Sequence, residues 1–204
     1  MKAIFITGAP GSGKTYISDA IVKKAALAQI NISQVSSDII RDILRANICA
    51  IQSPTLHSSS LHAGDECTLL GVENPAVWGY KAQAQTVIDY GIIPTIKRML
   101  TEDKNIVIDG VHCIPSMLHE KLAPFISKGL EIITICCYVP EVETHLAQIA
   151  SQGRSYVAEK LGNIEPIRHM QDFLFADSQA AGSYIVGGRD ALIQIDDILS
   201  ELFG

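Results

Sequence analysis

The segment that most constrains this chain is positions 8–15, Gly-Ala-Pro-Gly-Ser-Gly-Lys-Thr, which follows the apolar run 3–6. Its glycines allow backbone N–H groups to turn inward around an anion without a clash at Cβ. Lys14 adds a positive charge and Thr15 a hydroxyl, and the helix predicted to begin near Lys14 directs its positive end at the same point. An apolar strand before this pattern and an amphipathic helix after it are the context in which it binds phosphate. The sequence therefore predicts a polyphosphate-binding loop.

The residue types also predict what the loop holds. In loops of this kind the lysine contacts the β- and γ-phosphates of a nucleotide, and the hydroxyl ligates the accompanying Mg²⁺. We therefore expect ATP as co-substrate and Mg²⁺ as cofactor. The residues expected to bind the nucleotide are Gly8, Pro10, Gly11, Ser12, Gly13, Lys14 and Thr15.

A second metal-side group is predicted at the end of another apolar run. Asp109 closes the run 106–108 and precedes Gly110. A carboxylate at that strand end can orient the metal or its waters opposite Thr15. The alternative is an aspartate that only caps a helix or shapes a turn.

Composition limits the class of protein. The chain has 204 residues, of which 48% are hydrophobic, and it shows no linker that would divide it, so we expect a single domain over 1–204. The net charge of −6 argues against nucleic acid or an anionic membrane as the main partner. No apolar run has the length needed to cross a bilayer. The oligomeric state is left open.

The five cysteines show no CxxC spacing, and the chain begins with a predicted core strand instead of a leader. We interpret the cysteines as reduced, mostly buried thiols. A cytoplasmic location is the corresponding expectation.

Apolar runs and helical patterns alternate along the chain. The predicted strands are 2–7, about 32–36, 105–109, 131–138 and 183–187. The predicted helices are 14–28, 38–46, about 75–102, 115–127, 140–152, 164–181 and 190–203. The segment 192–195 is also compatible with a strand. This alternation predicts an α/β fold with a five-stranded parallel sheet, helices on both faces, and ligands at the carboxyl ends of the strands.

Two segments are expected to border the site. The stretch 47–78 begins with a long polar segment of no clear period, which is typical of a binding loop, and continues into a helix start. We interpret it as the side that holds the phosphoryl acceptor. The stretch 140–163 is expected to form a helical lid, from which Arg154 could close over the transferring phosphoryl group.

The helix after the second strand carries a polar face with Asp38, Arg41 and Arg45 at i, i+3 and i+7. In a phosphotransferase, Asp38 can accept the proton of an attacking hydroxyl, and Arg41 can bind an acidic group of the acceptor. The alternative is a solvated face on which Asp38 caps the helix and pairs with Arg41.

Three further side chains are candidates for the acceptor side. His57 lies in the polar stretch, and its spacing to His62 matches no structural zinc pattern. His112 lies three residues beyond Asp109, near the expected γ-phosphate position. Arg168 is spaced i, i+3 from Gln171 on a predicted helix, and the alternative is that Arg168 is only a surface charge. His145 is placed on the polar side of its helix and given no role.

Taken together, these residues resemble the 2-phosphoglycerate kinase family of P-loop kinases. The segments that carry the resemblance are Ser37–Arg41, Pro54–Ser59, Gly79-Tyr80 with Gln83, Gly91-Ile92, Asp109–His112 with Pro115, and Ile167–Gln171. The resemblance implies transfer of the γ-phosphoryl group of ATP to the hydroxyl of a small phosphorylated acid. It also implies an acceptor surrounded by Asp38, Arg41, His57, His112 and Arg168.

The chain departs from the family pattern at two places. The family usually has Glu where this chain has Asp109, and similar proteins carry arginines just after the histidine of the lid helix, where this chain reads 145–149 His-Leu-Ala-Gln-Ile. Alternatives are therefore a nucleotide-binding switch, or a kinase with a polyol, nucleotide or protein hydroxyl as acceptor.

Overall fold

A computed structural model describes residues 1–65, 74–151, 157–188 and 190–203, and it confirms the predicted α/β architecture. The strands are β1 (Lys2–Thr7), β2 (Ile32–Ser36), β3 (Asn105–Asp109), β4 (Glu131–Cys137) and β5 (Tyr184–Val186). They form one parallel sheet in the order β2-β3-β1-β4-β5. Because β1 lies at the centre, the loop that follows it emerges in the middle of the sheet edge.

Helices connect the strands and cover both faces of the sheet. They are α1 (Lys14–Leu27), α2 (Ser37–Asn47), α3 (Pro54–His57), α4 (Pro75–Val87), α5 (Ile93–Glu102), α6 (Pro115–Ile126), α7 (Val142–Ala150), α8 (Val157–Gly162), α9 (Ile164–Ala180) and α10 (Ala191–Phe203). The segment 192–195 is therefore helical and not a strand.

The central strands are apolar on both faces because each face is covered. Along β1, Ala3 and Phe5 face one core, together with residues of α2, α5 and α6. Ile4 and Ile6 face the other core, together with residues of α1 and α10. Alternate side chains of a strand point to opposite faces, so a continuous apolar run is what a sandwiched parallel strand requires.

The predicted helix 75–102 contains a π-helical turn at Ile88–Ile92, between α4 and α5. Gly91 lies in this turn against α2, and a Cβ at Gly91 would be 2.1 Å from Ile40 Cγ2. The glycine therefore permits an approach to α2 that a larger residue would block.

The strand register brings the candidate residues to one edge of the sheet. Asp109 pairs with Ile6 on one side and Ser36 on the other, and Thr7 pairs with Cys136. The carboxyl ends of β1, β2, β3 and β4 therefore lie side by side. Within the described part of the chain, no helix has the length and apolar character needed to cross a membrane.

Candidate functional site

The loop 8–13 is shaped by glycines in conformations that other residues rarely adopt. Gly8, Gly11 and Gly13 have φ of 143°, 85° and 91°. A Cβ at Gly8 would lie 2.5 Å from the Cys137 carbonyl oxygen, and one at Gly11 would lie 2.4 Å from Ile149 Cγ1. The loop is therefore packed closely between β4 and α7, and its backbone has the curvature that a phosphate group requires.

Lys14 follows this loop as the first residue of α1. Its Nζ donates to the Ala9 carbonyl oxygen at 2.8 Å. Burial lowers the pKa of Lys14, and the negative charges of Asp38 and Asp109 act in the opposite direction. A polyphosphate in the loop would add further negative charge beside the ammonium group and favour its charged form.

Thr15 and Asp109 form the oxygen pair expected on the metal side. Thr15 Oγ1 donates to Asp109 Oδ2 at 3.4 Å, and Asp109 is 5% exposed. Burial raises the pKa of Asp109, while Lys14 lowers it. Two adjacent oxygen ligands of an octahedral Mg²⁺ at ~2.1 Å are about 3.0 Å apart, so a small shift suits this pair to Mg²⁺, directly or through water.

A cavity of about 150 Å³ lies beside the loop, on the side of β4 and β5. It is lined by Ser12, Gly13, Tyr16, Ile17, Cys137, Tyr138, Val139, Gln148, Val186, Gly187, Gly188 and Ala191. Ser12 Oγ and Gln148 Oε1 are buried here without a hydrogen-bond partner among the described residues. A mostly apolar cavity with a few polar residues in its wall is typical of a ligand-binding site.

Asp38 stands where β2 passes into α2, on the other side of the loop. The Ser36 hydroxyl caps α2 by accepting from the Asp38 N–H at 3.2 Å. The Asp38 side chain is 62% exposed. The cap therefore belongs to Ser36, which leaves the Asp38 carboxylate directed to solvent near the loop.

His112 has no accessible surface, although the sequence places it among the acceptor-contacting residues. Its Nδ1 is 2.9 Å from Ser37 Oγ, and its Nε2 is 3.1 Å from Gln83 Oε1. Burial lowers the pKa of His112 to about 4, so the ring is neutral near pH 7. The ring lies beneath the surface that an acceptor would reach.

Arg41 and His57, the other acceptor-side candidates of this region, bind backbone carbonyl groups. Arg41 Nε donates to Leu56 at 3.1 Å and its Nη2 to Ser58 at 2.7 Å. Burial lowers the pKa of Arg41. His57 Nε2 donates to the Ile48 carbonyl oxygen at 2.7 Å. These contacts brace the acceptor-side segment and leave Nη1 of Arg41 without a recorded bond to the described residues.

The remaining sequence candidates are Arg154 and Arg168. Arg168 donates from Nη1 to the Val139 carbonyl oxygen at 2.6 Å and from Nη2 to that of Pro140 at 2.8 Å. Gln171 also binds Val139, accepting from its N–H and donating to its carbonyl oxygen. Arg154 lies outside the described residues. The structure therefore joins α9 to the segment between β4 and α7.

The sequence suggested that His145 lies on the solvated face of its helix, and the structure shows otherwise. It is fully buried, and its Nε2 donates to the Pro10 carbonyl oxygen at 2.8 Å. Burial lowers its pKa. Its helix packs on the phosphate loop, so the polar side of α7 is covered by the backbone of that loop.

No family model matches the chain. Individual proteins nevertheless match the chain, and their names share one activity. The chain is 23% identical over 202 residues to a 2-phosphoglycerate kinase of Methanopyrus kandleri, which covers 97% of the chain and 59% of the relative. It is 23% identical to that of Methanothermobacter thermautotrophicus, covering 98% of the chain and 64% of the relative. The chain resembles archaeal 2-phosphoglycerate kinases. It spans about three fifths of the length of these two relatives.

Solved structures show the same fold. An APS kinase of Mycobacterium tuberculosis, in complex with AMPPNP and APS, aligns over 100% of this chain and 98% of its own, with a TM-score of 0.54 and 13% identity. A Thermus thermophilus protein aligns over 99% and 98% with a TM-score of 0.56 and 15% identity. The chain therefore shares the fold of these two proteins.

Sequence reasoning missed three residues that the structure places at the site: Gln83, His145 and Gln148. Gln83 was part of the family resemblance, but nothing in its local pattern shows that it lies fully buried against His112. His145 and Gln148 are spaced i, i+3 on α7, so they share a helix face, which was the only available signal.

Proposed function

We propose that this protein is an ATP- and Mg²⁺-dependent kinase that phosphorylates a hydroxyl group of a small phosphorylated acid, 2-phosphoglycerate or a close chemical analogue. The observation that carries the proposal is the meeting of three groups at one sheet edge. These are the glycine loop with Lys14, the Thr15–Asp109 oxygen pair, and the exposed carboxylate of Asp38. The names of the related proteins support the acceptor class.

On the donor side, the backbone N–H groups of 8–13 and the Lys14 ammonium group would bind the β- and γ-phosphates. Thr15 and Asp109 would hold Mg²⁺, which when bound neutralises phosphate charge. The nucleoside would enter the adjoining cavity, whose wall includes Ser12 and Gln148. The phosphate chain would then run past the positive end of α1.

On the acceptor side, Asp38 would orient the attacking hydroxyl and accept its proton as the bond to the γ-phosphorus forms, while the bond from the γ-phosphorus to the β–γ bridging oxygen breaks and ADP leaves. Arg41, already fixed by two carbonyl groups, would present Nη1 to an acidic group of the acceptor. His57 would hold the backbone on the acceptor side, and Arg168 would hold the backbone at Val139 and Pro140. Arg154, on the lid side, would stabilise charge on the transferring group. Positioning and electrostatics would supply most of the acceleration.

The test is the formation of ADP with and without acceptor. ADP release from ATP and Mg²⁺ should rise on addition of 2-phosphoglycerate, compared with a panel of other phosphorylated acids and polyols. The Lys14→Ala variant should lose this stimulated release while the protein remains folded, and Lys23→Ala, an exposed lysine of the same helix, should retain it. Stimulated release that persists in Lys14→Ala would contradict the mechanism.

A second candidate is a nucleotide-dependent switch. The observation that favours it is that Arg41 and Arg168 both spend guanidinium N–H groups on backbone carbonyls, which reduces the positive charge available for an anionic acceptor. Tight ATP binding with no stimulation by any member of the acceptor panel would support the switch and refute the kinase.

A further inference from the structure

A buried chain of hydrogen bonds connects three separate segments beneath the proposed acceptor site. His112 follows β3, Ser37 begins α2, and Gln83 lies on α4, and all three are fully buried. His112 contacts Ser37 Oγ at 2.9 Å and Gln83 Oε1 at 3.1 Å. The mechanism proposed above gives none of the three a contact with substrate.

The direction of each bond follows from the amide of Gln83. Its Nε2 lies against the carbonyl oxygens of Thr55 and Ser58, at 2.9 Å for Ser58, and only an N–H group can bond to both. Its Oε1 therefore faces His112 and accepts from Nε2–H. The neutral ring then presents the Nδ1 lone pair to Ser37, whose hydroxyl donates. The tautomer of His112 is thereby fixed from one end of the chain.

Both ends of this chain of hydrogen bonds lie next to groups proposed to bind the acceptor. Ser37 precedes Asp38, whose Oδ1 is 3.7 Å from His112 Nδ1. Thr55 and Ser58 belong to the segment that Arg41 also binds. The backbone at Gly110 packs closely against Ser37, because a Cβ at Gly110 would lie 1.9 Å from Ser37 Oγ. The imidazole ring thus separates the Asp38 corner from the acceptor-side segment by a fixed width.

We propose that His112 and Gln83 are positioning residues that set the distance between the Asp38 carboxylate and the acceptor-side segment 54–60. His112 holds the corner through Ser37. Gln83 holds the segment through two carbonyl groups and through the Ser60 hydroxyl, which donates to Gln83 Oε1 at 2.6 Å and lies 3.3 Å from His112 Nε2. This inference rests on the proposed function, since it assigns the two walls of the same acceptor site.

Two substitutions of His112 break the chain of hydrogen bonds at different points. In His112→Gln an amide can reach the position of Nε2 and keep the bond to Gln83, but it leaves Ser37 unpaired. In His112→Asn an amide can occupy the position of Nδ1 and accept from Ser37, but it does not reach Gln83. The matched control is His119→Gln, an exposed histidine on α6.

The two variants should change different kinetic constants, measured with ATP and 2-phosphoglycerate. We expect His112→Gln to lower kcat by about 10- to 100-fold with little change in the acceptor KM, because only the Asp38 corner is released. We expect His112→Asn to raise the acceptor KM about tenfold with a smaller effect on kcat. The KM for ATP should stay within about twofold in both. Adding Ser37→Ala to His112→Gln should cause little further loss, since both remove one bond.

If both variants lowered kcat equally and raised the acceptor KM equally, the proposal would be overturned in favour of direct contact with the acceptor or general structural damage. A separate measurement does not depend on catalysis. The Leu56 amide is bonded to Ser53, and its hydrogen exchange should be at least about tenfold faster in Gln83→Ala than in the wild type or the His119→Gln control. Unchanged exchange would overturn the role of Gln83. If no acceptor stimulates the wild type, the proposed function fails, and this exchange measurement still decides whether the chain of bonds holds the segment.

Discussion

The burial of His112 has a consequence for stability at low pH. The unfolded chain takes up a proton at this residue near pH 6.5, whereas the folded protein does so only at a pKa of about 4, because burial penalises the charged ring. Above pH 6.5 the residue is neutral in both states and has no effect. As pH falls from 6.5 to 4, the unfolded state binds the proton first, so the free energy of unfolding decreases.

The magnitude follows from the shift in pKa. One pH unit of differential protonation corresponds to about 1.4 kcal/mol, so this residue should account for a loss of about 3 kcal/mol by pH 4. That is a large fraction of the stability of a typical domain. Asp109 acts in the opposite direction, because burial raises its pKa and so favours the folded state as pH falls. A comparison that isolates His112 is therefore required.

The measurement is urea unfolding of the wild type and His112→Gln at several values between pH 7.5 and 4.5. The variant should be less stable at pH 7.5, and the gap between the two proteins should narrow by 2 to 3 kcal/mol, as an order of magnitude, towards pH 4.5. The exposed-histidine variant His119→Gln should follow the wild type throughout. Parallel curves for wild type and His112→Gln would refute the argument, because they would mean that residue 112 is protonated equally in both states.

Three further perturbations test other parts of the site. Gly11→Ala should lower the free energy of unfolding by about 1 to 3 kcal/mol in urea titrations, because the residue has φ of 85° and its Cβ would meet Ile149. Adding Ile149→Ala should not relieve the φ strain, so full recovery of the free energy of unfolding in the double variant would contradict this cause. Gln148→Leu should weaken ATP binding about tenfold in calorimetry by removing a polar side chain from the wall of the cavity, and equal affinity would show that the nucleoside lies elsewhere. Asp109→Asn should raise the Mg²⁺ concentration for half-maximal ADP release at least about tenfold, and an unchanged Mg²⁺ titration would exclude it from the metal side.

The sequence was most informative about the strands and the phosphate loop. A continuous apolar run followed by a helical pattern is a local signal, so the five predicted strands match the observed ones to within about a residue or two at their ends. The order of the strands is not local. The π-helical turn was missed because its pattern continues that of the flanking helices, and only Gly91 in mid-helix hinted at the close approach of α2.

The site was less predictable because burial of a polar residue depends on what packs over it. His145 looks solvated on a helical projection, yet the phosphate loop covers it, and no local period carries that information. His112 was singled out by its position after β3, but its partners come from two elements distant in sequence. The arginines were identified as charges, whereas the structure shows two of them bound to backbone carbonyls.

The two side chains of α9 that bind Val139 and Pro140 set where α7 would pivot if it forms the predicted lid. Gln171 saturates both backbone groups of Val139, and Arg168 holds the next carbonyl, so this stretch moves with α9 and the sheet. Any rotation of α7 must begin after Pro140. Val139 would then keep its place as one wall of the cavity while Gln148 moves with α7, so a bound base would meet one stationary boundary and one that moves with the helix.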